Sequence, residues 1–196
     1  ADMDAIGSQF GLKYYLESAY PNKKIYCLGS DCPVSQRNNV HMDVVDDEVV
    51  ASSLAIVLDT SNAARIDDDR YQLAKKSIRI DHHVQVETIC DEEWIDDKAS
   101  ATCELLALYL QEKKANIPLQ SSLMLYLGLT ADNIRFTTNN VRSATFDAAK
   151  YLFEQGVDVT KVEQLNFSKS MEDYKYETVV RNHTVFKQVP LFNSRM

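Results

Sequence analysis

Four short clusters of acids and histidines, far apart in the sequence, are the residues of this chain best suited to chemistry. They are Asp2-Met3-Asp4, Leu58-Asp59-Thr60, Asp81-His82-His83 and Ala131-Asp132-Asn133, and each lies at the polar end of an apolar run. Carboxylates repel one another and are costly to desolvate, so a fold that gathers several of them usually holds cations between them. Imidazole and carboxylate ligands together suit divalent ions such as Mn²⁺. The sequence therefore predicts a metal site.

The elements that must position these clusters follow from the hydrophobic pattern. Short β-branched and aliphatic runs alternate with longer segments of helical period, which is typical of an α/β fold with a parallel sheet covered by helices. The predicted strands are 24–28, 55–58 and 77–80. The predicted helices are 5–20, 101–114, 119–130, 143–155 and a last one from 170 into the 180s. The sequence after Pro118 looks entirely helical, so we expect a helical C-terminal flank and no second sheet.

Two of the acids follow predicted strands directly. Asp59 comes after the strand 55–58, and Asp81 comes after the strand 77–80. Ligands of open parallel sheets bind outside the carboxyl ends of the strands, so both acids are expected at the same edge. An Asp after a strand can equally be a turn former or a helix N-cap when it stands alone. The accumulation of such motifs, and the paired histidines after Asp81, favour a functional site.

Composition and charge limit the classes of function. A chain of 196 residues with 45% hydrophobic residues fits one domain with a real core. The formal net charge of −8 argues against binding to long duplex nucleic acid, which depends on many Lys and Arg contacts to phosphate. The four cysteines form no CxxC pair, and the sequence shows neither a signal peptide nor a membrane-spanning stretch. We therefore expect a cytoplasmic protein with free thiols.

The ordered set of motifs resembles the DHH phosphoesterase family. It consists of Asp2-Met3-Asp4-Ala5-Ile6-Gly7-Ser8, Val57-Leu58-Asp59, Asp81-His82-His83 and Gly128-Leu129-Thr130-Ala131-Asp132, and it spans residues 2 to 136. The segment Ser143-Ala144-Thr145-Phe146 is similar to the smaller bacterial members, which are the nano-RNase and pAp phosphatase type and the related cyclic-di-AMP phosphodiesterases. The resemblance implies a three-layer, parallel-sheet DHH domain.

The resemblance also implies a manganese site with two Mn²⁺ ions. Asp2 would ligate the first ion, Asp4 the second, and Asp59 would bridge both. His82 and Asp132 would complete the coordination of the second ion. The family's first motif normally opens with a further His, four residues before its first Asp, at a position outside this sequence.

Three further residues would act beside the ions. The resemblance implies that His83 faces the scissile phosphate and that Asp81 supports the histidines by hydrogen bonding. Arg135 is expected to reach a substrate phosphate, with a surface salt bridge as an equal alternative. The fourth motif continues as Asn133-Ile134, where relatives usually have Thr-Gly. The stretch Ala99-Ser100-Ala101-Thr102 is read as a helix N-cap in preference to a substrate contact.

The sequence thus predicts a DHH catalytic domain at residues 1–189, followed at 190–196 by the start of a linker or of a next domain. Both ends look cut, and the Gly-Gly-Gly-His motif of the usual DHHA1 companion does not occur. The expected activity is manganese-dependent hydrolysis of short oligoribonucleotides, of 3′-phosphoadenosine 5′-phosphate, or of both. The expected partners are a short nucleotide substrate and a possible second copy in a homodimer, without a membrane segment.

Several alternatives stay open at this point. A cyclic-di-AMP phosphodiesterase has nearly the same motifs, and a single-stranded DNA exonuclease of the RecJ type would carry added nucleic-acid-binding domains. Family II inorganic pyrophosphatases share the first and third motifs but have Asp-His-Asn where this chain has Asp59-Thr60-Ser61. A nucleotide-binding module that has lost turnover is the alternative outside the enzymes.

Overall fold

Three parallel strands bring two of the predicted acids to one edge of a sheet. In the computed structural model, which describes residues 1–168 and 171–183, the strands are β1 (Leu54–Leu58), β2 (Lys76–Asp81) and β3 (Glu92–Ile95), in the order β1-β2-β3. The last residue of β1, Leu58, pairs with Ile80, and the last residue of β2, Asp81, pairs with Ile95. Asp59 and Asp81 therefore leave the sheet at the same carboxyl edge, as the sequence predicted.

The rest of the regular structure in the described residues is helical. The helices are α1 (Met3–Ala19), α2 (Pro33–Arg37), α3 (Asp47–Ala51), α4 (Thr102–Glu112), α5 (Leu119–Asp132), α6 (Ser143–Glu154), α7 (Val159–Phe167) and α8 (Met171–Asn182), with short 3₁₀ helices at Ala63–Arg65 and Asp69–Leu73. The predicted α/β fold class with a parallel sheet is confirmed. No helix within the described part of the chain is long and apolar enough to cross a membrane.

The chain divides into two compact units, Ala1–Asn166 and Phe167–Met196. The first unit contains the sheet, α1 to α6 and nearly all of α7, and the second contains α8. The predicted boundary at 189–190 lies outside the described residues, so the expected linker or next domain at 190–196 stays a prediction.

The predicted strand at 24–28 is wrong, because its backbone groups bond to side chains and to one loop residue instead of to a neighbouring strand. The Cys27 N–H donates to Asp43 Oδ2 at 2.8 Å, and the Cys27 carbonyl accepts from the Asp43 N–H at 2.7 Å. The Leu28 carbonyl accepts from Gln9 Nε2 at 2.9 Å. The segment is apolar because Cys27 is buried against the core, with 1% of its surface exposed, and not because it belongs to the sheet.

Helices α1 and α5 pack closely enough to bring the first and fourth acidic clusters together. A Cβ atom at Gly7 would lie 2.6 Å from the Met124 carbonyl oxygen, and one at Gly128 would overlap Cys103 Sγ and lie 3.1 Å from the Asp4 Cα. Real Cβ atoms do not approach other heavy atoms so closely, so both positions need glycine for this packing. The glycines thereby set the separation between Asp4 on α1 and Asp132 at the end of α5.

Candidate metal centre

Three carboxylates surround one nitrogen of His82. The His82 Nε2 atom lies 3.5 Å from Asp59 Oδ1, 3.5 Å from Asp132 Oδ2 and 3.8 Å from Asp4 Oδ2. These residues come from α1, from the end of β1, from the end of β2 and from the end of α5. With His83 they form the acid–histidine cluster, namely Asp4, Asp59, His82, His83 and Asp132. Ligand atoms in two subsets of it, Asp4 with His82 and Asp132, and Asp59 with the two histidines, lie within 4.8 Å of one another.

The ring of His82 is oriented so that Nε2 faces the acids. Its Nδ1 lies 3.2 Å from the carbonyl oxygen of Ala99. A carbonyl can only accept a hydrogen bond, so Nδ1 carries the proton and donates it. Nε2 is therefore the ring nitrogen that faces the three carboxylates, which is the arrangement that a metal-ligating histidine requires.

His83 is held by a different partner. Its Nδ1 lies 2.7 Å from Asp81 Oδ1, and the same oxygen accepts from the His83 backbone N–H at 3.2 Å. Burial by itself would raise the pKa of Asp81, but the hydrogen bonds and charge of His83 outweigh it and leave that pKa below the usual value. The same hydrogen bond raises the pKa of His83. Asp81 therefore orients His83 by hydrogen bonding, and the expected support of His82 by the same acid stays a prediction.

The carboxylates of the cluster have little compensating charge. Burial, followed by the charges of Asp4 and Asp2, raises the pKa of Asp59 from 3.8 to about 8. Burial also raises the pKa of Asp4 to about 6, with a further contribution from Asp132, although hydrogen bonds to Cys103 and Thr102 lower it. The pKa of Asp132 is likewise raised, mainly by burial. Carboxyl groups with pKa values raised in this way are expected where a bound cation balances their negative charge.

Asp59 also has an unusual backbone conformation. Its φ angle is 57°, in the left-handed region that residues other than glycine adopt only at an energetic cost. Its backbone N–H donates to the Ile80 carbonyl at 3.1 Å, which fixes the chain as it leaves the sheet. Only 3% of the Asp59 side-chain surface is exposed. The fold thus holds this carboxylate in place at the expense of backbone strain.

The first turn of α4 donates hydrogen bonds to the acids of the cluster. Sequence reasoning missed this role. The backbone N–H groups of Thr102 and Cys103 donate to the two oxygens of Asp4 at 2.6 and 3.0 Å. The Thr102 hydroxyl donates to Asp59 Oδ1 at 3.0 Å. The residue at the N-cap position is Ala101, whose side chain caps nothing. The Ser and Thr residues around it, which sequence reasoning assigned to capping, instead contact acids.

A buried glutamate, Glu104, holds this turn in place by hydrogen bonds. Glu104 is fully buried, and its Oε2 accepts from the Ser100 N–H at 3.0 Å, from Ser100 Oγ at 2.7 Å and from Thr145 Oγ1 at 2.8 Å. Its Oε1 accepts from Arg142 Nε at 2.8 Å. Ser100 follows Ala99, the residue that orients His82. The Ser100-to-Glu104 spacing at the start of a helix was the available signal for this network.

Two predicted site residues, Asp2 and Arg135, have other partners and belong to neither ligand group found among the described residues. Asp2 caps α1 by accepting from the N–H groups of Asp4 and Ala5, both at 3.1 Å. Its charge nonetheless raises the pKa of Asp59, so it lies close by. Arg135 forms a two-pronged ion pair with Glu163, with Nε and Nη2 at 2.9–3.2 Å from its oxygens. The salt-bridge alternative for Arg135 is the one that the structure shows.

Comparison with known proteins identifies the family of this chain. The family model described as "DHH family, N-terminal domain" matches residues 1–131. The chain is 34% identical over 193 residues to the bifunctional oligoribonuclease and PAP phosphatase NrnA of Bacillus subtilis, covering 97% of this chain and 60% of the relative. It is 32% identical over 191 residues to an uncharacterized Mycoplasma pneumoniae protein, covering 92% of this chain and 57% of that relative. The chain thus spans about three-fifths of the length of these relatives.

Two further matches bear on fold and on alternatives. An exopolyphosphatase-related protein from Bacteroides fragilis superimposes with a TM-score of 0.80 at 20% identity, over 95% of this chain and 59% of that one, which shows a shared fold. The cyclic-di-AMP phosphodiesterase GdpP of Geobacillus thermodenitrificans is 31% identical over 123 residues, or 60% of this chain and 18% of that protein. The family resemblance inferred from the four motifs is confirmed. The chain belongs to the DHH family, and its first 131 residues correspond to that family's N-terminal domain.

Proposed function

We propose that this chain is the catalytic domain of a manganese-dependent phosphoesterase that hydrolyses short oligoribonucleotides, 3′-phosphoadenosine 5′-phosphate, or both, by two-metal catalysis. The observation that carries the proposal is the set of three carboxylates around His82 Nε2. The relatives named as bifunctional oligoribonuclease and PAP phosphatase support the substrate class. The net charge of −8 favours small phosphate-bearing substrates over long nucleic acids.

The donor set fits divalent cations. Carboxylate oxygens together with one imidazole nitrogen are ligands that Mn²⁺ accepts readily. The raised pKa values of Asp4 and Asp59 indicate that these acids lack the positive charge that would balance them. The ions would be held by Asp4, Asp59, His82 and Asp132. Asp2 would also contribute once its side chain turned away from the N-terminus of α1, which it caps. Bound divalent cations supply Lewis acidity, which polarises a phosphoryl oxygen and makes water more acidic.

His83 would act on the substrate itself. Asp81 is ionised and can only accept a hydrogen bond, so His83 Nδ1 must carry a proton. The raised pKa of His83 favours protonation of Nε2 as well. With 39% of its side chain exposed, the ring can donate from Nε2 to a phosphoryl oxygen or to the leaving oxygen.

The test compares substrates in the presence of Mn²⁺. The purified protein should hydrolyse the diribonucleotide pApA much faster than a long single-stranded DNA or pyrophosphate, and EDTA should abolish the reaction. The Asp59→Asn variant is the matched inactive control. Processive degradation of long DNA, or no hydrolysis of any short nucleotide with Mn²⁺ in excess, would contradict the proposal. Nucleotide binding without hydrolysis would instead indicate a binding module.

Cyclic-di-AMP phosphodiesterase activity is the second candidate. The match to GdpP over 60% of the chain favours it, and so does a weaker match to the cyclic-di-AMP phosphodiesterase PdeA of Listeria monocytogenes, at 28% identity. The same assay separates the two candidates, because faster turnover of cyclic-di-AMP than of pApA would assign the second.

A further inference from the structure

Two phenylalanine rings stack on each other, one in the turn that follows Asp132 and the other on helix α6. The ring centroids of Phe136 and Phe146 are 5.3 Å apart, and the ring planes are inclined by 22°. Phe136 is half-buried, whereas Phe146 exposes 55% of its surface. Ile134, two residues before Phe136, exposes 54% of its surface. Apolar surface is thus open to solvent on α6 and in the segment that follows Asp132.

The turn that carries Phe136 is strained. Ile134, Arg135 and Phe136 have φ angles of 48°, 58° and 64°, so three consecutive residues other than glycine occupy the left-handed region. The turn begins directly after Asp132 and Asn133. Asn133 is fully buried, and its Oδ1 accepts from the Phe136 N–H at 2.8 Å. Strain that is kept in place by a buried side chain typically marks a functional segment.

Phe146 lies in a segment that is linked to the residues behind the cluster by hydrogen bonds to Glu104. Phe146 follows Thr145, whose hydroxyl donates to Glu104 at 2.8 Å. The same glutamate oxygen accepts from Ser100, which follows the residue that orients His82. Asn133 Nδ2 also contacts Ser100 Oγ, at 3.4 Å. The backbone segments that carry the two rings are thus linked by hydrogen bonds to Asn133 and Ser100, the residues that follow Asp132 and Ala99.

We propose that the Phe136–Phe146 pair is a stacking subsite for the nucleobase of the substrate whose phosphate binds at the acid–histidine cluster. The proposal rests on the phosphoesterase function proposed above. It explains how that site would bind a nucleotide more tightly than an inorganic phosphate compound, which has no base. Bases stack on exposed aromatic rings, and every base offers such a face. Because the two rings carry no hydrogen-bonding group, the subsite would accept purines and pyrimidines alike.

Binding experiments test this subsite without requiring turnover. Isothermal titration calorimetry with Mn²⁺ present would compare AMP with ribose 5-phosphate, which lacks the base. AMP should bind the wild-type protein more tightly, and Phe146→Ala should weaken AMP binding by about 5- to 150-fold while leaving ribose 5-phosphate unchanged. Phe146→Trp should preserve the preference for AMP. The matched control is Phe153→Ala, because Phe153 lies on the same helix α6 and is 57% exposed.

The outcomes separate this inference from the proposed function. Equal affinity for AMP and ribose 5-phosphate in the wild-type protein, or the same loss in Phe153→Ala as in Phe146→Ala, would overturn the subsite even if pApA is hydrolysed. A wild-type protein that bound neither ligand would overturn it as well. A base-dependent affinity that needs Phe146, found in a protein without Mn²⁺-dependent hydrolysis, would support the subsite and contradict the phosphoesterase.

Discussion

Replacing Asp59 by Asn should abolish function and at the same time stabilise the metal-free protein. Asn has the same shape, and its amide oxygen can still accept the hydrogen bond that Thr102 Oγ1 makes at 3.0 Å. Asn is also among the residues that best tolerate the left-handed φ angle of 57° found at this position. The substitution therefore removes the charge with little other change.

The size of the stabilisation follows from the pKa of Asp59. The folded protein raises this pKa from 3.8 to about 8, and one pKa unit corresponds to about 1.4 kcal/mol of unfolding free energy. A carboxyl group whose folded pKa is raised binds more protons in the folded state, so the stability of the wild-type protein falls as the pH rises from about 4 to about 8. The upper bound is roughly 5–6 kcal/mol above pH 8. Burial of the new amide also costs free energy, so we expect a net gain of about 2–4 kcal/mol at pH 8.

Urea unfolding in EDTA, followed by circular dichroism at pH 5 and pH 8, measures this gain. Asp59→Asn should exceed the wild type at pH 8 and lose most of its advantage at pH 5. The control is Asp147→Asn, an exposed position on α6 that should change stability little at either pH. With Mn²⁺ in place of EDTA, at about 1,000 times its Kd, the order should reverse, because such a ligand stabilises the wild type by about 4.1 kcal/mol. No gain at pH 8, or an equal gain at both pH values, would refute the reasoning.

Further predictions concern the support of the cluster. Asp81→Asn should retain more Mn²⁺-dependent activity than Asp59→Asn, because it disturbs one histidine and no cation ligand; equal residual rates would show that the roles are wrongly assigned. Glu104→Gln should weaken Mn²⁺ binding by about tenfold in calorimetry, whereas Glu112→Gln, whose side chain is 77% exposed on the same helix, should leave it unchanged. Gly128→Ala should destabilise the fold by about 1–3 kcal/mol through the close contact between helices described above; an unchanged urea midpoint would contradict the packing argument.

The sequence predicted those parts of the site that depend on periodicity and on chain direction. Asp59 and Asp81 were predictable because parallel strands end at one edge, whatever the details of their packing. The third strand, β3, was not predicted, because its sequence begins with two glutamates. One of them, Glu93, pairs at 2.5 Å with Arg79, whose side chain is fully buried. The ion pair allows two charged side chains to be buried, whereas sequence patterns place charged residues on the surface.

Other errors arose where tertiary contacts decide the outcome. The run 24–28 has strand-like composition, but its burial against α1 and its bonds to Asp43 are formed by residues distant in sequence. The part played by Thr102 could not be read from sequence, because a Ser/Thr-rich stretch before a helix usually caps that helix. The ion-pair partner of Arg135, Glu163, lies 28 residues further on, so this pair could not be predicted from local sequence.

The distance along the chain between the partners of the cluster also sets when it can form. Asp4 and the backbone of Thr102 are 98 residues apart in the sequence, and Asp132 comes later still. Contacts of such separation close large loops and form late in folding, after local helices and the strand pairs. During synthesis on the ribosome, the acids of the first turn must therefore wait for most of the domain to emerge. A metal site that uses all three carboxylates around His82 can therefore be completed only after residue 132 has been synthesised.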